Sequence, residues 1–208
     1  MAAASEVGIC NSALVKLGVG SDGRIGSLSE GTKNANLCNE QYEKRRDKLL
    51  RSHRWNFAIK RVQLARMVAT PVSEFDFKYQ LPTDYLRVVS VHDSDAGTGV
   101  VRYKIEGTAL LVSTEEVFLR YVSQATDPVS MTADFREYLA TDIAHELALA
   151  IAQSNTVKEA LRKELKEAKL GARSADALED FPEEFPEASW TAARRGRRNR
   201  GIWPRGST

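Results

Sequence analysis

Apolar residues recur at helical spacing towards both ends of the chain and with a period of two in its middle, and this change of period predicts the layout. Val7, Cys10, Ala13, Leu14 and Leu17 share one helical stripe, with Ser5 placed to cap its start and Gly18 to stop it. Gly18, Gly20, Gly23, Gly26 and Gly31, set among Ser and Asp, then read as a loop. A second helix is predicted from Glu30 to Ser52, with Ala35, Cys38, Tyr42 and Leu49 on its apolar stripe and Glu43, Lys44, Asp47 and Lys48 decorating the rest.

After Trp55 the pattern alternates. Phe75, Phe77, Tyr79 and Leu81 interleave with Asp76, Lys78 and Gln80, and Val101, Tyr103 and Ile105 with Arg102, Lys104 and Glu106. With the runs Asn56–Arg66, Leu86–Val91, Ala109–Val112 and Val117–Val122, this predicts about six short strands. Their short connections make them antiparallel, in the order of a meander. The helical period returns after Thr132, a cap for a face of Phe135, Leu139, Ile143, Leu147 and Ile151. A fourth helix follows Ser154 or Asn155, with Val157, Leu161, Leu165 and Ala168 inward and alternating charges outward.

Helices, strands and helices again imply an α+β fold: a helical bundle with an inserted antiparallel β-sheet and an extended C-terminal tail. The expected division is a helical part, residues 1–55 and 125–181, a β-rich insert, 56–124, and a C-terminal arm, 182–208.

Composition narrows the class without naming a function. With 208 residues, 42% of them hydrophobic, the chain can form a core. It has no run of the ~20 apolar residues that a membrane span needs, and its start, MAAASEVGIC, lacks the basic and apolar parts of a secretory signal. A soluble protein made in the cytoplasm, with no membrane partner, is therefore expected. Net charge is +2 overall but divides unevenly. Residues 189–208 carry six arginines and no acid, leaving 24 basic against 28 acidic residues in 1–188. Just before the arginines lies an acidic stretch, Asp176, Glu179, Asp180, Glu183, Glu184 and Glu187, interrupted by Pro182 and Pro186. Such blocks bury little apolar surface, so an extended arm is expected from about residue 182.

Candidate chemistry is sparse. His145-Glu146 opens like a zinc-binding HExxH, but the second ligand position is Leu149. His53 and His92 have no Cys or Ser partner at a catalytic spacing, no Ser sits in a GxSxG elbow, and the glycine-rich loop lacks GxxxxGK[ST]. Carboxylate pairs such as Glu115/Glu116 and Glu183/Glu184 fall in turn or tail contexts. Cys10 and Cys38 both lie on apolar helical faces, as small buried thiols do where two helices touch. No catalytic residue, metal or cofactor is assigned.

The unusual feature is RRGRRNRGIW with Trp190 and Trp203 on either side. The arginines could neutralise phosphates, with a salt slope of roughly −5, as an arginine-rich nucleic-acid-binding protein would. Tryptophans are enriched in interface hot spots, which favours a peptide docking on a protein surface. Fully extended, these twenty residues reach roughly 65–70 Å.

ICNSALVKLG (Ile9 to Gly18), Ile25 and Ser27 in the loop, ANLCNEQYEKRRDKLLRSHRWNFA (Ala35 to Ala58) and YQLPTDYLRV (Tyr79 to Val88) together resemble the tail tubular protein A, or head-to-tail connector (adaptor), family of tailed bacteriophages. The resemblance covers about the first 90 residues. Arg54 departs from it, standing where the family commonly has a proline before the tryptophan.

The resemblance implies a non-enzymatic virion protein: a homo-oligomeric, dodecameric ring between the portal and the downstream tail protein, around a channel that DNA crosses without sequence-specific binding. The arm would then dock on the portal through Trp190, Arg194, Arg195, Arg197, Arg198, Arg200, Ile202, Trp203 and Arg205. Some connector-type proteins have been linked to cell-wall hydrolysis, but no residue of this chain suggests it.

Overall fold

The computed structural model describes residues 4–72, 74–95, 97 and 101–179. They form a mixed helix and sheet domain, with four α-helices and two three-stranded antiparallel sheets. Helix α1 spans Glu6–Lys16, with the Ser5 hydroxyl accepting from the Gly8 N–H at 3.0 Å. Gly18, at φ +79°, takes the left-handed conformation that ends it.

Helix α2 spans Lys33–Ser52, three residues shorter at its start than predicted. Gly31, at φ +80°, keeps Glu30 out of the helix. The Glu30 carboxylate instead accepts from the N–H groups of Gly26 and Ser27 and from the Thr32 hydroxyl, while Thr32 caps the helix.

A 3₁₀ turn, Asn56–Ala58, leads into strands β1 (Ile59–Gln63), β2 (Phe77–Gln80), β3 (Tyr85–His92), β4 (Lys104–Glu106), β5 (Ala109–Val112) and β6 (Phe118–Ser123). All six expected strands form, but their pairing is not a meander. One sheet has the order β1-β6-β3 and the other β2-β5-β4. The last strand thus lies between the first and the third, closing the β region on itself. Beyond β1 the chain passes to the second sheet, where the Met67 N–H donates to Lys78 O and the Gln80 N–H to Ala65 O.

Helices α3 (Ala133–Ile151) and α4 (Asn155–Leu178) complete the domain, capped by Thr132 and Ser154. Among the described residues, no helix is long and apolar enough to cross a membrane.

Two apolar clusters hold the elements together. The first joins Cys10 and Leu14 of α1, Cys38, Tyr42 and Leu50 of α2, Trp55, Phe135, Leu139 and Ile143 of α3, and Leu161 of α4. The second lies between the sheets: Tyr79, Leu110 and Val112 come from one, and Val91, Leu119 and Tyr121 from the other. Strand alternation accounts for the split, since Val122 points into the helical cluster and Leu119 and Tyr121 into the sheet cluster. In β3 two irregularities break the register, between Tyr85 and Arg87 and between Val88 and Ser90. The extra residues, Leu86 and Val89, are the ones that pack on the helices, so the bulges let one strand serve both clusters.

Ion pairs tie the helices at their borders. Lys16 of α1 bridges Glu137 of α3 at 2.6 Å and also pairs with Glu164 of α4. Arg45 of α2 pairs with Asp142 and Glu146 of α3.

Candidate functional site

The nine residues singled out for docking, Trp190, Arg194, Arg195, Arg197, Arg198, Arg200, Ile202, Trp203 and Arg205, lie outside the described residues. What the structure does define is the surroundings of the end of α4. Near the end of α4, Asp176 is only 3% exposed. The backbone N–H of Asn56 donates to its Oδ1 at 2.9 Å, the Asn56 Nδ2 donates to its carbonyl at 3.0 Å, and His53 Nε2 lies 3.3 Å from its Oδ2. One turn earlier, Arg173 Nη2 donates to Ser52 O at 3.2 Å. The end of α4 is therefore pinned to the turn between α2 and β1.

This pinning also sets the behaviour of His53. Partial burial and the nearby Arg173 guanidinium lower its pKa, and they outweigh the opposing pull of Asp176. A histidine whose pKa is lower in the folded state binds its proton more readily when unfolded. Its contribution to stability is complete above the ordinary value near 6.5 and is lost as pH falls from there through the lower folded-state value. The urea midpoint should therefore drop between about pH 7.5 and about pH 5.5, and drop less in His53→Gln. Equal drops in both proteins would contradict this role.

Next to the pinned turn lies a groove of about 580 Å³, lined among others by Arg54, Arg61, Arg120, Val89, His92 and Phe118. Strand register puts the charges together. Arg61 of β1 pairs with Arg120 of β6, and Arg120 with Ser90 of β3, so these three side chains share one sheet face. The same alternation places Phe118 and Val122 on that face, with Val122 under the helices and Phe118 in the groove.

Like charges set directly opposite across a strand pair repel. Among the described residues, none of the three arginines makes an ion pair, and Arg120 Nε is buried without a hydrogen-bond partner. Asp95 is the one acid among the described lining residues. The groove is thus a cationic, partly apolar trough suited to an anionic ligand with some hydrophobic character.

Sequence reasoning did not assemble this groove. Arg61 and Arg120 are 59 positions apart, and only the closure of β6 on β1 makes them neighbours. Arg54 did stand out, as the departure from proline before Trp55, and that position now forms part of the groove wall.

The remaining titratable groups are dispersed. His92 Nε2 lies 2.9 Å from the Ser90 hydroxyl, and His145 is half-buried on α3. Cys10 and Cys38 are both buried, and hydrogen bonding to Cys38 together with burial pushes the Cys10 thiol well up, leaving it protonated and unreactive. Among the described residues no group of three His, Cys, Asp or Glu side chains is placed to hold a metal ion.

The class that fold and site define is therefore an α+β domain with a cationic groove beside the turn to which the end of α4 is pinned. The chain matches no protein-family model, and no curated protein is significantly similar to it.

Proposed function

We propose that this protein is a structural head-to-tail connector of a tailed bacteriophage, of the tail tubular protein A kind. Its copies form a dodecameric ring between portal and tail, around the channel through which DNA passes. The helical parts, residues 1–55 and 125–181, act as a bundle that builds the ring wall, and the β-rich part, 56–124, projects towards the tail. Residues 182–208 form an extended arm that docks on the portal, with Trp190 and Trp203 as anchors and the six arginines as its charged contacts.

The observation that carries this reading is that the first two resembling segments, Ile9 to Gly18 and Ala35 to Ala58, meet in one packed cluster. Ile9, Cys10, Leu14 and Leu17 come from the first segment, and Ala35, Cys38, Tyr42, Leu49, Leu50 and Trp55 from the second, all buried together. The resemblance thus falls on residues that make a common core, as inherited architecture does. Two further features favour assembly. Leu170 and Leu178 of α4 are 69% and 83% exposed, and Leu170 lies half a turn round the helix from buried Leu161, so α4 offers apolar side chains to a neighbour. A ring of identical arms converts a weak peptide contact into firm attachment through effective concentration.

Removing residues 189–208 tests the proposal. The truncated chain should remain folded, since no described residue of either apolar cluster is lost, yet it should fail to join portal particles in a sedimentation assay. Attachment equal to that of the full chain would overturn it. Nucleic-acid binding is the competing outcome. It would appear as DNA affinity with a steep salt slope, lost with the arm and unchanged by Trp190→Ala and Trp203→Ala.

A further inference from the structure

The arginine groove and the acidic stretch that precedes the arm are complementary, and the structure places one at the root of the other. Helix α4 ends at Leu178, and Asp176 is bonded to Asn56 and contacts His53. Arg54, between those two residues, already lines the groove. The chain that follows reads Glu179-Asp180-Phe181-Pro182-Glu183-Glu184-Phe185-Pro186-Glu187, five acids with two aromatic rings and no base. Nine residues in extended form span about 30 Å, more than enough to run from α4 along the trough.

We propose that residues 179–187 of the same chain occupy this groove, their carboxylates against Arg54, Arg61 and Arg120 and a phenylalanine ring against Phe118 and Val89. Each chemical feature of the segment has a counterpart. Arg61 and Arg120 oppose one another without a counter-ion, and carboxylates relieve that repulsion. Phe118 and Val89 provide the apolar wall, and aromatic rings also stack on guanidinium groups. Pro182 and Pro186 push the residues before them, Phe181 and Phe185, towards extended backbone, the shape that a shallow trough accepts.

A phosphate-bearing ligand would satisfy the guanidinium groups but would leave the apolar wall without a partner. The local supply of the peptide is also high, because it is tethered at the groove's edge. Docking in this way fixes the point from which residues 188–208 project. The inference stands apart from the connector reading, and its failure would leave that reading untouched.

Hydrogen exchange on the full chain tests it. In low salt, the amides of residues 180–187 should exchange about ten-fold more slowly than in Arg61→Gln/Arg120→Gln, and this difference should vanish in about 0.5 M salt. Exchange within α3 should be the same in both proteins, which reports that the fold is intact. The charge swap Arg61→Glu/Arg120→Glu combined with Glu183→Arg/Glu184→Arg should restore protection. Unprotected exchange of residues 180–187 in the unmodified chain at low salt would overturn the proposal without recourse to any variant. Protection that grows with protein concentration would assign the groove to a second copy. Protection that requires an added DNA duplex would assign it to nucleic acid, and either result overturns docking within one chain.

Discussion

Replacing Trp55 by alanine is expected to remove about 3–5 kcal/mol of stability, the usual cost of deleting a fully buried aromatic side chain. For a domain whose whole margin is about 5–15 kcal/mol, this brings the protein close to unfolding. Trp55 is fully enclosed, and its ring meets Phe135 edge-on at 4.9 Å between centroids and His53 at 4.7 Å. Its indole N–H donates at 3.0 Å to Leu49 O, a carbonyl in the last turn of α2 that also accepts from the Ser52 hydroxyl at 2.7 Å. The substitution therefore opens a cavity between α2 and α3 and removes one of the two hydrogen bonds to Leu49 O, leaving the one from the Ser52 hydroxyl. Urea unfolding followed by circular dichroism provides the measurement. The midpoint of Trp55→Ala should fall steeply while Trp55→Phe keeps part of the loss back, and a Trp55→Ala midpoint equal to the parent's would refute the assignment.

Asp176→Ala is expected to cost about 2–3 kcal/mol, the range for losing charge-assisted hydrogen bonds from a buried site. Its effect should be local as well as global. The Asn56 N–H loses its acceptor, His53 loses its partner, and the end of α4 is held to the turn by Arg173 and the Asp176 carbonyl alone. Amides of residues 170–178 should exchange faster by a larger factor than those of α3. Asp176→Asn, which preserves an acceptor for the Asn56 N–H, should show a smaller change. Uniform acceleration across α3 and α4 would mean that this cluster does not anchor the helix end.

The helical elements were legible because their signals are local. Ser5, Thr132 and Ser154 each precede an apolar stripe, and each caps its helix through the N–H three residues on. The start of α2 was placed near Glu30 from an apolar stripe whose first residue is Ala35, which does not fix the helix end, and the helix begins at Lys33. Gly31 in a left-handed conformation, and the loop amides that Glu30 accepts from, hold it outside. The strands were legible from their alternation, whereas β2 and β4 begin later than the pattern implied, at Phe77 and Lys104. Phe75 and Arg102, both predicted within strands, lie before those starts, with the Arg102 guanidinium 5.8 Å from the Phe75 ring centre.

Of the two candidate features, the arginine run and its tryptophans are matters of composition and could be read directly from the sequence. The groove could not. Arg54, Arg61 and Arg120 each look like ordinary surface charges in their own segments.

By itself the sequence determined four helices, caps for three of them, six strands, an α+β class and the charge division between residues 1–188 and 189–208, because each depends on residues close to one another in the chain. Only the tertiary structure decided that β6 lies between β1 and β3, that the strands divide into two sheets, and that three arginines from separate segments line one trough beside the end of α4. Strand pairing and charge convergence depend on which distant segments meet. That choice is made by burying two apolar clusters at once against the entropy of closing long loops, and no local pattern records it.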